Sequence, residues 1–317
     1  MIIVRFTSGL GNQMFQYNLY SLLRKKYPGT QVKADISWFY TNDEHHGFEL
    51  CRIFEGVNGS NFFLDKATTK EIFNVSGQVP TPFPGPFAKT VKYLLGPVNR
   101  KLRESGRPDR CGITLDQFEK KFDYDTVVNI DPEKNHYIFG FFIEEAYYRD
   151  RMSILKNELV FPEMTGECAA LAAKMEETES VSVHVRRGDY LSNTYAGRFL
   201  CLDRSYYELA VKIIRQKMRD PKFFIFSEDA DFVEKEFAWL SDKTIVNINS
   251  GNDSYRDMQL MTKCKANIIA NSTFSQWASI LNENSDHITI YPAQYMSDED
   301  TEERTLSGWI RVPGGSR

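Results

Sequence analysis

The sequence predicts an α/β protein of two domains, with a parallel sheet in its C-terminal half. Three observations predict this. Beyond residue 180, short β-branched or aromatic runs alternate with helical stripes, the pattern of strands joined by crossover helices. At the other end the chain runs strand, glycine loop, helix, an arrangement that sets a helix N-terminus against a ligand. With 317 residues, there is enough chain for two domains of ordinary size.

Residues 2–6 form the first short strand. Thr7-Ser8-Gly9-Leu10-Gly11-Asn12-Gln13 is the glycine loop, and Phe15, Leu19, Leu22 and Leu23 then recur at helical spacing until Pro28-Gly29. A G-x-G alone is a weak ligand signal, because a tight turn also explains two glycines. Residues 31–36 read as the second strand. A polar loop at 42–46 contains His45 and His46, whose adjacent spacing does not suit two ligands from one helix face. Pro80, Pro82, Pro84 and Pro86 exclude helix and central strand from their segment.

The basic stretch 89–110 follows, with apolar Val91, Leu94, Leu95 and Val98 at roughly helical spacing. Such a helix can lie on an anionic membrane or simply face solvent, and the solvated helix is the preferred expectation. Residues 136–142 form an aromatic-rich strand leading to a helix near Glu144-Glu145. A helical stripe then runs to Pro162, and 165–180 reads as an exposed helix linking the halves. The domain boundary is placed within 162–175, giving domains 1–165 and 166–317, with a C-terminal segment able to pack back on the first domain.

In the second half, strands are expected at 181–185, 222–227, 244–248, 266–270 and 287–291. Helices are expected at 206–218, from 257 and at 276–281. Three of these strands end in polar clusters. They are His184-Val185-Arg186-Arg187-Gly188-Asp189, Ser227-Glu228-Asp229 and Asn271-Ser272-Thr273-Phe274-Ser275. A parallel sheet delivers its carboxyl ends to one edge, so the three clusters should meet around one ligand. Two guanidiniums call for an anion such as a diphosphate. A surface turn with an internal Arg–Asp pair is the alternative, and Ser and Thr are also ordinary helix caps. The acidic pair Glu228-Asp229 suits hydrogen-bond donors such as ribose hydroxyls or a guanine edge.

Hydrophobic content of 42% and charged content of 26% are those of a soluble globular chain. A net charge of −4 gives no sign of nucleic-acid binding. Five dispersed cysteines without C-x-x-C argue against a disulfide framework or zinc site and favour a reducing compartment. Neither a signal peptide nor a spanning segment is evident, so a cytoplasmic location is expected, with peripheral contact on the inner membrane face as an alternative.

The chain resembles the bacterial-type α-1,2-fucosyltransferases of glycosyltransferase family 11. The resemblance rests on Ser8-Gly9-Leu10-Gly11-Asn12-Gln13-Met14-Phe15-Gln16-Tyr17, on His184 to Tyr190, on Phe224-Ile225-Phe226-Ser227-Glu228-Asp229, and on Ile268 to Ala278. Phe48-Glu49-Leu50 and Gly140-Phe141-Phe142-Ile143-Glu144-Glu145 are weaker echoes. Gln276 departs from the pattern, since the family often carries a tryptophan before Trp277, and 80–110 matches no shared motif.

The resemblance implies a GT-B-like architecture, two Rossmann-like domains with parallel sheets facing across a cleft. It also implies inverting, metal-free transfer of L-fucose from GDP-β-L-fucose to the 2-hydroxyl of a terminal galactose, in surface-glycan or O-antigen synthesis. The donor would bind mainly to the C-terminal domain and the acceptor to the N-terminal one. Arg186 becomes the leading pyrophosphate ligand with Arg187 beside it, His184 and Asp229 or Glu228 become candidates for the guanosine, and Asn12 would face the cleft with Gly9, Gly11 and Gln13. Metal-free chemistry agrees with the residues, since the nearest match to D-x-D is Asp298-Glu299-Asp300 in a polar tail.

Arg186, Asp189 and His184 are therefore the candidate catalytic residues. Asp189 can serve as a base, but its place beside the arginines favours an orienting role. Glu144, Glu145 and Asp35 are further candidates for the base. Transfer of another nucleotide sugar on the same scaffold is the alternative activity, and a non-catalytic sugar- or nucleotide-binding protein is a third.

Overall fold

The structure is a computed structural model and describes residues 1–42, 46–187, 201–296 and 299–314. The chain forms two compact units, Met1–Val160 and Phe161–Arg317.

The first unit is built on a four-stranded parallel sheet of β1 (Ile2–Arg5), β2 (Val32–Asp35), β3 (Ile113–Asp116) and β4 (His136–Phe139), in the order β2-β1-β4-β3. The central strand β1 is apolar because neighbouring strands and covering helices bury it, and Ile2, Ile3 and Val4 are fully enclosed. Helix Leu10–Lys26 ends on Arg24, Lys25 and Lys26, whose charges complement the helix C-terminus. Gln13, Gln16, Asn18 and Ser21 are buried along with its apolar side chains, and each has a partner. The Asn18 amide donates to the Tyr147 carbonyl at 2.8 Å, and Ser21 Oγ donates to Glu158 at 2.7 Å. Strand β3 is not anticipated by the sequence. It lies at a sheet edge with only Leu115 buried, so the alternation that marks a strand is weak there.

The second unit contains six parallel strands, β5 (Ser180–His184), β6 (Lys222–Phe226), β7 (Lys243–Val246), β8 (Ala266–Ile268), β9 (Ile288–Pro292) and β12 (Ile310–Val312). Their order in the sheet is β12-β9-β8-β5-β6-β7. A small antiparallel pair, β10 (Gln294–Met296) and β11 (Glu299–Asp300), precedes the last strand. Val181, Val183, Phe223, Ile225 and Ile268 pack with Tyr206, Ala210 and Ile214 of helix Arg204–Lys217 into one core. Asp203 caps that helix by accepting from the N–H groups of Ser205 and Tyr206.

Each unit is thus a Rossmann-like α/β assembly with a parallel sheet. The C-terminal segment pairs with β9 inside the second unit. Helix Gly166–Glu177 is shorter than expected, because the chain enters β5 at Ser180, and it buries Ala172 and Met175. All five cysteines are free thiols.

Candidate functional site

At the carboxyl edge of the second sheet, β5 ends at His184, and Arg186 and Arg187 lie just beyond it. The Arg186 guanidinium donates to Glu228, which follows the neighbouring strand β6. Arg186 keeps 16% of its side chain exposed whereas Glu228 keeps 59%, so the cation is anchored and the carboxylate can swing away. Arg187 stacks on the Phe232 ring at 3.5 Å and places Nε 3.4 Å from Asp229 Oδ2. That contact is an ion pair without hydrogen-bond alignment. Asp229 is otherwise occupied, since its Oδ1 caps helix Ala230–Glu236 by accepting from the Phe232 N–H at 3.0 Å. Ser227 Oγ accepts from the Asp229 N–H and shapes the same turn.

His184 is 6% exposed, and its ring lies 5.8 Å from that of Phe274. Burial drives its pKa down to about 3, and the charge of Arg186 pushes the same way. The imidazole is therefore neutral, and its buried Nδ1 has no hydrogen-bond partner. A ring held so far below neutral pH is a poor proton acceptor, and hydrogen bonding to a ligand suits it better than base catalysis.

The third cluster opens helix Thr273–Ile280, with Ser272 Oγ accepting from the Phe274 N–H. Ser275 Oγ accepts from the Ala270 N–H, and Asn271 donates to the Tyr295 carbonyl at 2.8 Å, so both hold the turn. Thr273 is nearly buried at the first helical position. Gln276 donates to the Arg304 carbonyl at 2.6 Å, so the residue departing from the family pattern pins the segment that carries Arg304. Arg304 is 8% exposed, stacks over Tyr295 at 4.2 Å and lines a recess with Asn271 and Ser272.

The structure thus brings His184, Arg186, Arg187, Ser227, Glu228, Asp229 and the 271–275 turn to one edge. Gly188 and Asp189 lie outside the described residues. Two further groups escaped the sequence. Arg304 is one, and nothing in its local pattern signals burial. Asp257 is the other. Its carboxylate accepts from the Asn249 amide at 2.7 Å, and its pKa is pushed up to about 7, chiefly by burial, with the Glu228 charge adding to the shift. The sequence marks Asp257 only as the start of a helical stripe.

The glycine-loop candidates belong to the first unit. Gly9 caps helix Leu10–Lys26 without a side chain, with Ser8 in the left-handed region at φ +66°, and Gly11 and half-buried Asn12 lie on the first turn. Gln13 is fully enclosed. Its amide nitrogen donates to the carbonyls of Ser8 and Gly47, and its oxygen accepts from the Glu49 N–H, so the side chain clamps two loops together. Buried Glu49 accepts from the Leu10 N–H and from Arg52, yet desolvation still raises its pKa to about 7.

The three N-terminal carboxylates differ in what remains unused. Asp35 accepts from Tyr137 Oη at 2.6 Å and from the Ser37 N–H. Glu145 faces Arg149 at 3.8 Å. Glu144, by contrast, has a buried Oε2 that accepts nothing. Among the described residues no group of three or more His, Cys, Asp or Glu side chains could hold a metal ion.

Comparison with known proteins returns one family model, glycosyl transferase family 11, matched over residues 116–312. The O-antigen biosynthesis glycosyltransferase WbnK of Escherichia coli is 30% identical, aligned over 96% of this chain and 98% of the relative. The α-1,2-colitosyltransferase of Escherichia coli is 27% identical, with 98% and 99% covered. Among solved structures, the fucosyltransferase NodZ from Bradyrhizobium aligns over 88% of this chain and 92% of its own at 17% identity. Its TM-score is 0.49, too loose a likeness to bear on activity.

Proposed function

Because the chain belongs to glycosyl transferase family 11, we propose that it is a galactoside α-1,2-fucosyltransferase. It would move L-fucose from GDP-β-L-fucose to the 2-hydroxyl of a terminal galactose with inversion, in surface-glycan or O-antigen synthesis. The observation that carries this reading is the anchored pair Arg186 and Arg187, neutralised by carboxylates of which Glu228 is exposed enough to be displaced. A diphosphate is the ligand that such a forked, replaceable arrangement fits.

In this reading Arg186 stabilises the β-phosphate as the glycosidic bond breaks, with Arg187 held in place by its stack on Phe232. Neutral His184 hydrogen-bonds the nucleotide, and Asp257 and Glu228 supply acceptors for the guanosine. The 271–275 turn offers N–H groups at a helix start to the same phosphates. Fixed guanidiniums rather than a metal carry the leaving-group charge, so turnover should persist in excess chelator.

Attack by the galactose hydroxyl needs a proton acceptor on the face opposite GDP. Glu144 has a buried oxygen that accepts no hydrogen bond, and we assign it that role ahead of Asp35 and Glu145.

Screening GDP-fucose, GDP-mannose and UDP-sugars against lactose-type acceptors, with linkage analysis of the product, tests the proposal. Formation of an α-1,2-fucosyl galactoside is the expected result. Transfer from another donor alone would replace it, and a colitosyl donor is the specific second reading because a full-length relative carries that activity in its name. Tight GDP binding with neither transfer nor donor hydrolysis would sink both readings.

A further inference from the structure

We propose that helix Ala88–Glu104 and the proline-rich segment before it dock this protein on an anionic lipid surface. In seventeen residues, that helix buries only Ala88. Several of the side chains exposed on it and at its N-cap are large and apolar. Tyr93 is 82% exposed, Phe87 71%, Leu94 65% and Val98 45%, and Phe83 just upstream is 48% exposed. Phe87, Leu94 and Val98 are seven and four residues apart, which places them on one stripe of the helix. Leaving such a stripe in water forfeits the burial that ordinarily holds a surface helix to its domain.

The charge on the same helix is one-sided. Lys89, Lys92, Arg100, Lys101 and Arg103 are opposed within it only by Glu104. At 100° per residue, Lys89, Lys92, Arg100 and Arg103 fall on the side away from the Phe87–Leu94–Val98 stripe, Tyr93 lies beside them, and Lys101 borders the stripe. An apolar stripe that opens on an aromatic ring, Phe87, with a lysine- and arginine-rich opposite face, is the composition of a helix that lies in a membrane interface. Anionic headgroups are the partner this charge complements, in a chain whose net charge as a whole is −4.

The helix is held in register rather than hanging free. Asn99 Oδ1 accepts from the Val79 N–H at 2.8 Å, and Asn99 Nδ2 donates to the Val79 carbonyl at 2.9 Å. Together with buried Ala88, that clamp fixes which side of the helix faces the unit and leaves the apolar stripe outward. No helix of the described residues is long and apolar enough to cross a membrane, so the contact is peripheral.

The test is flotation of the full-length protein with vesicles of phosphatidylcholine alone and of phosphatidylcholine with phosphatidylglycerol. Two variants accompany the wild type. One carries Phe87→Ser, Tyr93→Ser and Leu94→Ser, and the other carries Lys89→Gln, Lys92→Gln, Arg100→Gln and Lys101→Gln. The altered side chains are exposed, so GDP binding and turnover of a soluble acceptor should stay at wild-type levels. Expected are binding to the anionic vesicles only, weakening as salt rises, and a loss of roughly tenfold or more in each variant. The proposal is overturned if the wild type stays with the lipid-free fraction, or if either variant floats as well as wild type. It is also overturned if the serine variant instead dissociates an oligomer seen without lipid, which would make the stripe a protein interface.

Discussion

Replacing Arg186 with lysine keeps a positive charge at the end of β5 but removes the forked donors. In the structure the guanidinium is mostly buried and donates to Glu228, so its position is set before any ligand arrives. A phosphate taking the place of that carboxylate would accept two charge-assisted hydrogen bonds from arginine and one from lysine. Each such bond contributes roughly 1.5–3 kcal/mol. Losing one predicts a fall in kcat/KM of roughly 10- to 100-fold for Arg186→Lys, and losing both predicts about 10²-fold or more in kcat for Arg186→Ala. Folding should be nearly unaffected, because a pair whose carboxylate is mainly exposed contributes only about 0–1 kcal/mol. Steady-state transfer from labelled GDP-fucose, with GDP affinity measured by calorimetry and the unfolding midpoint as a control, separates these effects. Near-wild-type turnover by Arg186→Lys would remove Arg186 from the leaving-group role.

Three other predictions follow from particular contacts. Gln13→Ala strands the carbonyls of Ser8 and Gly47 and the N–H of Glu49, so thermal unfolding should show a loss of roughly 3 kcal/mol. An unchanged midpoint with weakened GDP binding would instead make Gln13 a ligand. For Asp257 the folded pKa of about 7 lies above the unfolded 3.8, so the stability it contributes is complete below that lower value and is lost as pH rises through about 7. Asp257→Asn should flatten that decline in midpoints measured from pH 5 to 8, and identical slopes would show that the carboxyl does not titrate there. His184 runs the other way, its contribution being complete above pH 6.5 and lost as pH falls towards about 3. Glu144→Gln should lower kcat by roughly 10²-fold or more while GDP affinity holds, and an unaltered kcat would return the search for the base to other residues.

Much of this protein was legible from one dimension. The alternation of buried runs and helical stripes gave the second parallel sheet nearly strand by strand, because a strand covered on both faces must be apolar throughout. The same reasoning failed at sheet edges. Strand β3 buries only one of its four side chains, and β12 has three residues, so neither carries a period strong enough to read. A capping box at Thr68 and Glu71 opens helix Thr69–Ser76 and was present in the sequence, yet eight residues gave too little stripe to stand out. The 271–275 turn shows how motif chemistry can be right in place and ambiguous in role. Ser272, Ser275 and Asn271 are where expected, but much of their hydrogen-bonding capacity goes into the turn itself.

By itself the sequence determined the α/β class, the family resemblance and the gathering of polar strand ends. These depend on local order and on a rule of parallel sheets. The tertiary structure decided what each group at those ends is free to do. Burial made His184 neutral, raised Asp257, consumed Gln13 and Asp35, and left one oxygen of Glu144 without a donor. It also left the apolar stripe of helix Ala88–Glu104 uncovered. The physical reason is common to all of these. Desolvation and hydrogen-bond satisfaction depend on neighbours that arrive from distant parts of the chain, and no local pattern of residues records them.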